Sequence, residues 1–277
     1  MALPPTTKIK YLTNKDLLSE IHKSKATYCS YVDPKYVAYD FIVSNIGQIT
    51  PARIEQARKS KLADMQQIEK KEYTGKSVKD FKPTTTLDDV PAENIVIRVM
   101  MHDHIPINPD KVDKAKTEAE RHIRCNFPPF QHYIMREGEL LCVLKSHWKG
   151  GLENGHFSKD HGRMTNNLAM MFMKLVDRYG HRGNWRGYTY IDEMKCQALL
   201  QLSQVGLQFD ESRSETPNPF AYYTQTITNS FMRILNVEKK NQNIRDDILI
   251  MHGANPSYTR MVDNELSQKS QGEKPPE

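Results

Sequence analysis

Apolar residues fall at helical spacing over most of the chain, and side-chain acceptors mark where the stripes begin. Thr13, followed at three residues by Asp16 and then by Leu17, Leu18 and Ile21, predicts a capped amphipathic helix. Asp33-Pro34 and Thr50-Pro51 repeat a start signal, because a proline in the first turn has no N–H to leave unsatisfied, and predict two more helices. The second carries Ile54, Leu62, Met65 and Ile68 on one side, ends near Tyr73-Thr-Gly75, and gives way to a polar linker from Lys76 to Pro91. The pattern then turns β-branched at Asn94 to Met101. Gln131 to Arg136 and Glu139 to Lys145 face each other across Glu137-Gly138, which predicts a strand and a hairpin. Between them, Asp110 to Arg124 reads as a helix lying on that small sheet. From Thr165 the period is helical again: Leu168, Met171, Phe172, Leu175, Val176 and Tyr179 share a stripe that Gly180 closes. Thr189 with Asp192 forms a further capping box ahead of Ile191, Met194, Ala198, Leu202, Val205 and Phe209. Asn218-Pro219 opens a long helix whose buried side is Phe220, Tyr223, Ile227, Phe231 and Ile234, and the polar stretch from Ser267 to Glu277 is expected to be disordered.

The expected architecture is mainly α with a small α+β module inserted. It comprises an N-terminal helical segment over 1–45, the module over 46–150, a helical domain over 151–247 and a partly disordered tail over 248–277. Apolar residues make up 38% of the 277 and charged residues 26%, which excludes a wholly disordered chain. The longest apolar runs, such as Leu168 to Met173, fall far short of the roughly 18 residues that span a bilayer. Met1-Ala-Leu-Pro-Pro lacks the basic patch and apolar run of a secretory signal, so a cytoplasmic location is expected. Cys29, Cys125, Cys142 and Cys196 lack paired spacing and suit a reducing compartment.

Several motifs for chemistry fall short. Gly75-Lys76-Ser77 has Lys70 where a phosphate-binding loop needs its first glycine. Seven of the ten histidines lie between His102 and His161, with Cys125 and Cys142 among them, but their spacings match no standard zinc finger. Asp160-His161 with Asn166 and Asn167 hints at a metal-dependent His-Asn-His nuclease, but the next histidine, His181, follows only after a long apolar helix. A nuclease or zinc-binding DNA-binding protein is the alternative reading. The main expectation has no catalytic residue, metal or cofactor.

Charge points elsewhere. Between Lys145 and Arg186 stand eight Lys/Arg and three acids, an excess equal to the +5 of the whole chain. Trp185, Arg186 and Tyr188 sit in one Gly-containing loop whose composition suits base stacking and phosphate contact, although Trp185 serves equally well as a plug over a helical core. The helix opened by Asn218-Pro219 carries phenols at its entry, amides and hydroxyls along it, and cations at its far end. These can offer stacking planes, base-edge partners and phosphate neutralisation to single-stranded or melted DNA.

Glu193 to Glu211 and Asn218 to Leu235, with the Phe209-Asp210 joint, the Asn218-Pro219 start and the Ala221-Tyr-Tyr-Thr-Gln225 run in register, resemble the late-transcription sigma factor of T-even-type phages. More distantly they resemble the second conserved region of bacterial sigma factors, and the longer middle section is similar to the versions in phages of cyanobacteria. The resemblance implies a sigma region-two-like helical domain acting in the cytoplasm of a host cell, near its nucleoid. It implies that Glu193, Gln197, Gln201 and Gln204 dock on a coiled coil of the large clamp subunit of host core RNA polymerase. It further implies that Phe220, Tyr222, Tyr223, Gln225, Thr226 and Asn229 melt the promoter −10 element, Tyr223 being the first choice for the stacked base. Arg233, Lys239 and Lys240, with Trp185 and Arg186, would hold the DNA. A phage co-activator or sliding clamp is a further implied partner, although no large apolar residue follows Leu266 to imitate the apolar clamp-binding tail of the T-even factors.

Overall fold

The computed structural model describes residues 12–73, 83–105, 125, 127–146, 152–153, 156–157, 162–214 and 216–272. The helix expected over Asp110 to Arg124 lies outside them. The described chain is mainly helical, and it forms two compact units: Met1–Met173 with Ser203–Tyr223, and Lys174–Leu202 with Thr224–Glu277.

The first unit is built on a five-stranded mixed sheet of β1 (Cys29–Tyr31), β2 (Phe41–Val43), β3 (Ile97–Met100), β4 (Phe130–Arg136) and β5 (Glu139–Ser146), in the order β1-β5-β4-β3-β2. Only β2 and β3 pair in parallel; β4 and β5 form the expected hairpin. Its turn places Glu137 and Gly138 at φ of 52° and 86°, the mirror-image geometry that matches the twist of the flanking strands. Because β1 and β2 precede residue 46 and belong to this sheet, that expected module boundary is not a structural one. A separate two-stranded ribbon, β6 (Leu152–Glu153) and β7 (His156–Phe157), follows.

Helix α1 (Asn14–Ala26) has the expected capping box, Thr13 and Asp16 satisfying each other's backbone N–H. Helix α2 (Pro51–Glu72) is capped by Thr50 and lays Ile54 and Ala57 on Val43, Ile97 and Val99 of the sheet and on Val90 and Ile95 of the turns before β3. Asp33-Pro34 opens only a 3-10 turn, Pro34–Tyr36, because β2 begins five residues beyond Tyr36 and leaves no room for a longer helix.

A charged centre lies inside this unit. The Lys25 ammonium of α1 is 1% exposed and donates to both carboxylate oxygens of Glu211 (2.8 and 2.9 Å) and to the Phe209 carbonyl (2.7 Å). Arg98 of β3 is 2% exposed, its guanidinium 3.8 Å from the centroids of both the Tyr39 and Phe130 rings. Its Nε donates to His132 Nε2 at 2.9 Å, and His132 Nδ1 meets the Tyr36 carbonyl at 2.7 Å. A nitrogen that accepts from arginine cannot itself carry a proton, so His132 is neutral with its proton on Nδ1. Burial and the Arg98 charge push its pKa down to about 3. Burial alone would raise the Glu211 carboxyl, but Lys25, His22 and Arg98 outweigh it and hold the group well below the usual carboxylate range.

Helix α3 (Asn166–Gly180) buries Leu168 and Phe172 in the first unit and Val176 and Tyr179 in the second. Helix α4 (Ile191–Val205) buries Met194, Ala198 and Leu202, and helix α5 (Pro219–Met251) buries Ile227, Phe231 and Leu235, all residues of the second unit. The Tyr179 and Trp185 rings lie 5.0 and 5.1 Å from Phe231. The start of α4 differs from expectation: Met194 N–H bonds to the Tyr190 carbonyl, which puts the cap at Tyr190 rather than at a Thr189-Asp192 box. Helix α6 (Tyr258–Gly272) also differs, since its turns occupy part of the tail expected to be disordered. Asp246, 3% exposed, accepts from Ser257 N–H (2.9 Å) and Oγ–H (2.6 Å), and Arg260 pairs with Asp247 at 2.7 Å, so α6 is tied back onto α5. No helix among the described residues is long and apolar enough to cross a membrane.

Candidate nucleic-acid interface

Helical geometry divides α5 into two faces. Tyr223, Ile227, Phe231 and Leu235 step by four residues along the buried one. On the opposite side of the second unit, Asn229, Met232, Arg233, Asn236, Val237 and Lys240 line an open depression of about 540 Å³. Gln225 lies one turn earlier and donates from Nε2 to Asn229 Oδ1 at 2.8 Å, and both residues are exposed. Arg233, Lys239 and Lys240 are exposed and form no ion pair among the described residues. This face therefore presents amides, two uncompensated cations, Arg233 and Lys240, and two apolar contacts, Met232 and Val237, which are 42% and 48% exposed, with Lys239 exposed beside it. Met232, Asn236 and Val237 are additions to the sequence-derived set, and their spacing from Asn229 and Arg233 was the available signal.

The aromatic residues fall otherwise. Tyr223 is fully buried, donates its hydroxyl to the Gly206 carbonyl (2.8 Å) and sets its ring edge-on to Phe172 at 4.8 Å. Gly206 makes this possible, since a Cβ there would sit 2.7 Å from Phe172 ring atoms. Tyr223 therefore offers no face to a base, which corrects its expected role. Trp185 is the core plug rather than a stacking surface, being 7% exposed against Phe231 and Tyr179. Tyr222 is half-buried, with its hydroxyl on the Val205 carbonyl at 3.1 Å and its ring 5.5 Å from Phe209. Phe220 is half-buried, and its N–H bonds to Asn14 Oδ1 at 3.3 Å. Thr226 is half-buried and its carbonyl accepts from Ser230, whereas Arg186 is exposed.

The second unit has another ring pair. Tyr188 and Tyr190 are both half-buried, with centroids 5.4 Å apart, and Tyr188 is 6.1 Å from Trp185. The Tyr190 phenol is raised by burial and then by Tyr188 and the Glu238 carboxylate.

On α4, Glu193 and Gln204 are exposed and Gln197 and Gln201 half-buried, all off the buried stripe. Cys196 and Leu200, the latter 53% exposed, lie among them and extend the expected set. Lys195 bonds to Asp177 at 3.0 Å and fixes α4 to α3 within the second unit.

Of the histidine cluster, His104 Nε2 meets the Ser146 carbonyl at 2.6 Å, and burial pushes its pKa down to about 4. No three His, Cys, Asp or Glu among the described residues converge as a metal cage. His122, His147 and His161 lie outside those residues.

The chain matches no protein-family model, no curated protein and no solved structure.

Proposed function

We propose that the protein is a sigma-type transcription-initiation factor of a phage, not an enzyme. In this reading it binds host core RNA polymerase through the Glu193, Gln197, Gln201 and Gln204 face of α4 and engages late-promoter DNA at the −10 element through α5. The observation that carries the reading is the outer face of α5, where Asn229 and Asn236 accompany Arg233 and Lys240, with Gln225 one turn earlier and Lys239 exposed beside them, and no acid pairs with these cations among the described residues. Amides pair with adenine edges, and cations neutralise phosphates in a contact that salt weakens.

With Tyr223 in the core, an unpaired base needs another plane, and we assign that role to the half-buried Tyr188–Tyr190 pair of the second unit. Stacking at roughly 1–3 kcal/mol per base largely offsets the few kcal/mol of unpairing. The exposed Leu200 adds an apolar anchor to an otherwise polar docking face on α4.

The direct test is run-off transcription from a candidate late promoter with core polymerase. Transcripts that require this protein support the reading. Their absence, together with duplex-DNA binding in the absence of polymerase, would establish an architectural DNA binder instead.

A further inference from the structure

A second site lies in the first unit and does not depend on the function proposed for the α5 face. Strand β2 ends the sheet, so every second residue along it turns its N–H and C=O away from β3. A cleft of about 530 Å³ runs beside it. One wall is the consecutive run Tyr39 to Ile42, and no β3 residue lines it, so the cleft lies on the open edge of the strand. The α2 stripe of Arg53, Gln56, Ala57 and Ser60 forms a second wall, and Glu211, Ser212, Ser214 and Pro217 form the third. Among the described residues, that third wall makes no backbone hydrogen bond to β2. The gap therefore separates two stretches of backbone without bridging them.

Charge decides what would fill it. Asp40 is neutralised by Lys61 at 3.1 Å and Glu211 by Lys25 at 2.8 Å. Arg53, exposed on α2, forms no ion pair among the described residues. The uncompensated charge of the cleft is thus a single guanidinium, placed to receive a carboxylate in the charge-assisted geometry arginine favours.

We propose that this cleft receives an extended, acidic peptide segment of a partner protein, which adds a strand to the β2 edge and sets a carboxylate on Arg53. The short edge makes few ladder bonds, so the contact is weak and suited to reversible recruitment.

The test uses the full chain, isotopically labelled for NMR, and three probes: Ac-Val-Thr-Asp-Val-Thr-NH2, the same peptide with lysine for aspartate, and the same peptide with proline at its centre. The aspartate peptide is expected to shift residues 39–43, 53–60 and 211–217, and the lysine peptide to bind roughly twofold to fivefold more weakly. Arg53→Glu, on an exposed helix surface, should reverse that order. The proline peptide, unable to donate at its centre, should not bind. Absence of shifts at millimolar peptide, or equal binding of the proline peptide, would overturn the proposal. So would the same shifts on concentrating the protein alone, which would assign the edge to a second copy of this chain.

Discussion

Two groups of basic residues in this molecule do opposite things. In the first unit, Lys25 and Arg98 are buried, held by Glu211, by two aromatic rings and by a neutral histidine. In the second, Arg233, Lys239 and Lys240 stand exposed along one helix and pair with no acid among the described residues. Burying a cation costs several kcal/mol unless partners surround it, so the first group is committed to holding α1, the sheet and the turn at Glu211 together. The second group contributes little to folding and is available to an anionic ligand. Residue type alone does not separate these two groups; their burial and compensation do.

Removing the compensation should separate the two groups most sharply. Glu211→Ala leaves Lys25 buried without its carboxylate and is expected to destabilise the first unit by about 3–5 kcal/mol in denaturant titration. A loss below about 1 kcal/mol would mean that the centre is not the tie described above.

Acid should act on the same unit. His132, with its pKa pushed down to about 3, and His104, pushed down to about 4, are neutral in the fold but titrate near the ordinary 6.5 when unfolded. Protons therefore bind preferentially to the unfolded chain, so the contribution is complete above 6.5 and is lost progressively as pH falls toward those values. The depressed Glu211 carboxyl adds a loss in the same direction at still lower pH. Melting temperatures at pH 7, 5.5 and 4 should fall in that order, and His132→Gln should flatten the upper part of the profile.

Tyr223→Phe leaves the Gly206 carbonyl without its donor in a buried site and should cost about 1–3 kcal/mol, with single-stranded DNA binding unchanged. Tyr188→Ala should weaken that binding. If Tyr223→Phe changed affinity while stability held, the exchange of roles between these tyrosines would be wrong.

The mildest effect on stability should come from the α5 face. Arg233→Ala with Lys240→Ala should leave stability within about 0.5 kcal/mol. The double substitution should lower the logarithmic salt dependence of single-strand binding by about 0.7 for each phosphate that is no longer neutralised. An unchanged salt slope would remove these cations from the interface.

What could be read from the sequence was local. The Thr13 and Thr50 caps, the Glu137-Gly138 turn and the stripes of α3, α4 and α5 each depend on residues within a turn or two of one another. The sheet order was not legible, because β2 lies parallel to β3 through a long connection and β1 pairs with β5. The Lys25–Glu211 pair, 186 residues apart, left no local trace. For Tyr223 the sequence did hold the answer: it shares the stripe of Ile227 and Phe231, and a ring on the buried side of a helix cannot also face DNA. The polar positions 225, 229 and 233 were legible for the complementary reason, since the same period that buries one side exposes the other.

Opening of the −10 element by the protein together with core polymerase is the decisive observable. A 2-aminopurine placed at a −10 adenine should brighten only when both proteins are present, and the Arg233→Ala, Lys240→Ala variant should reduce that signal while still binding polymerase. A probe that stays dark with both proteins, or that brightens equally without polymerase, would contradict the assignment of α5 to promoter opening.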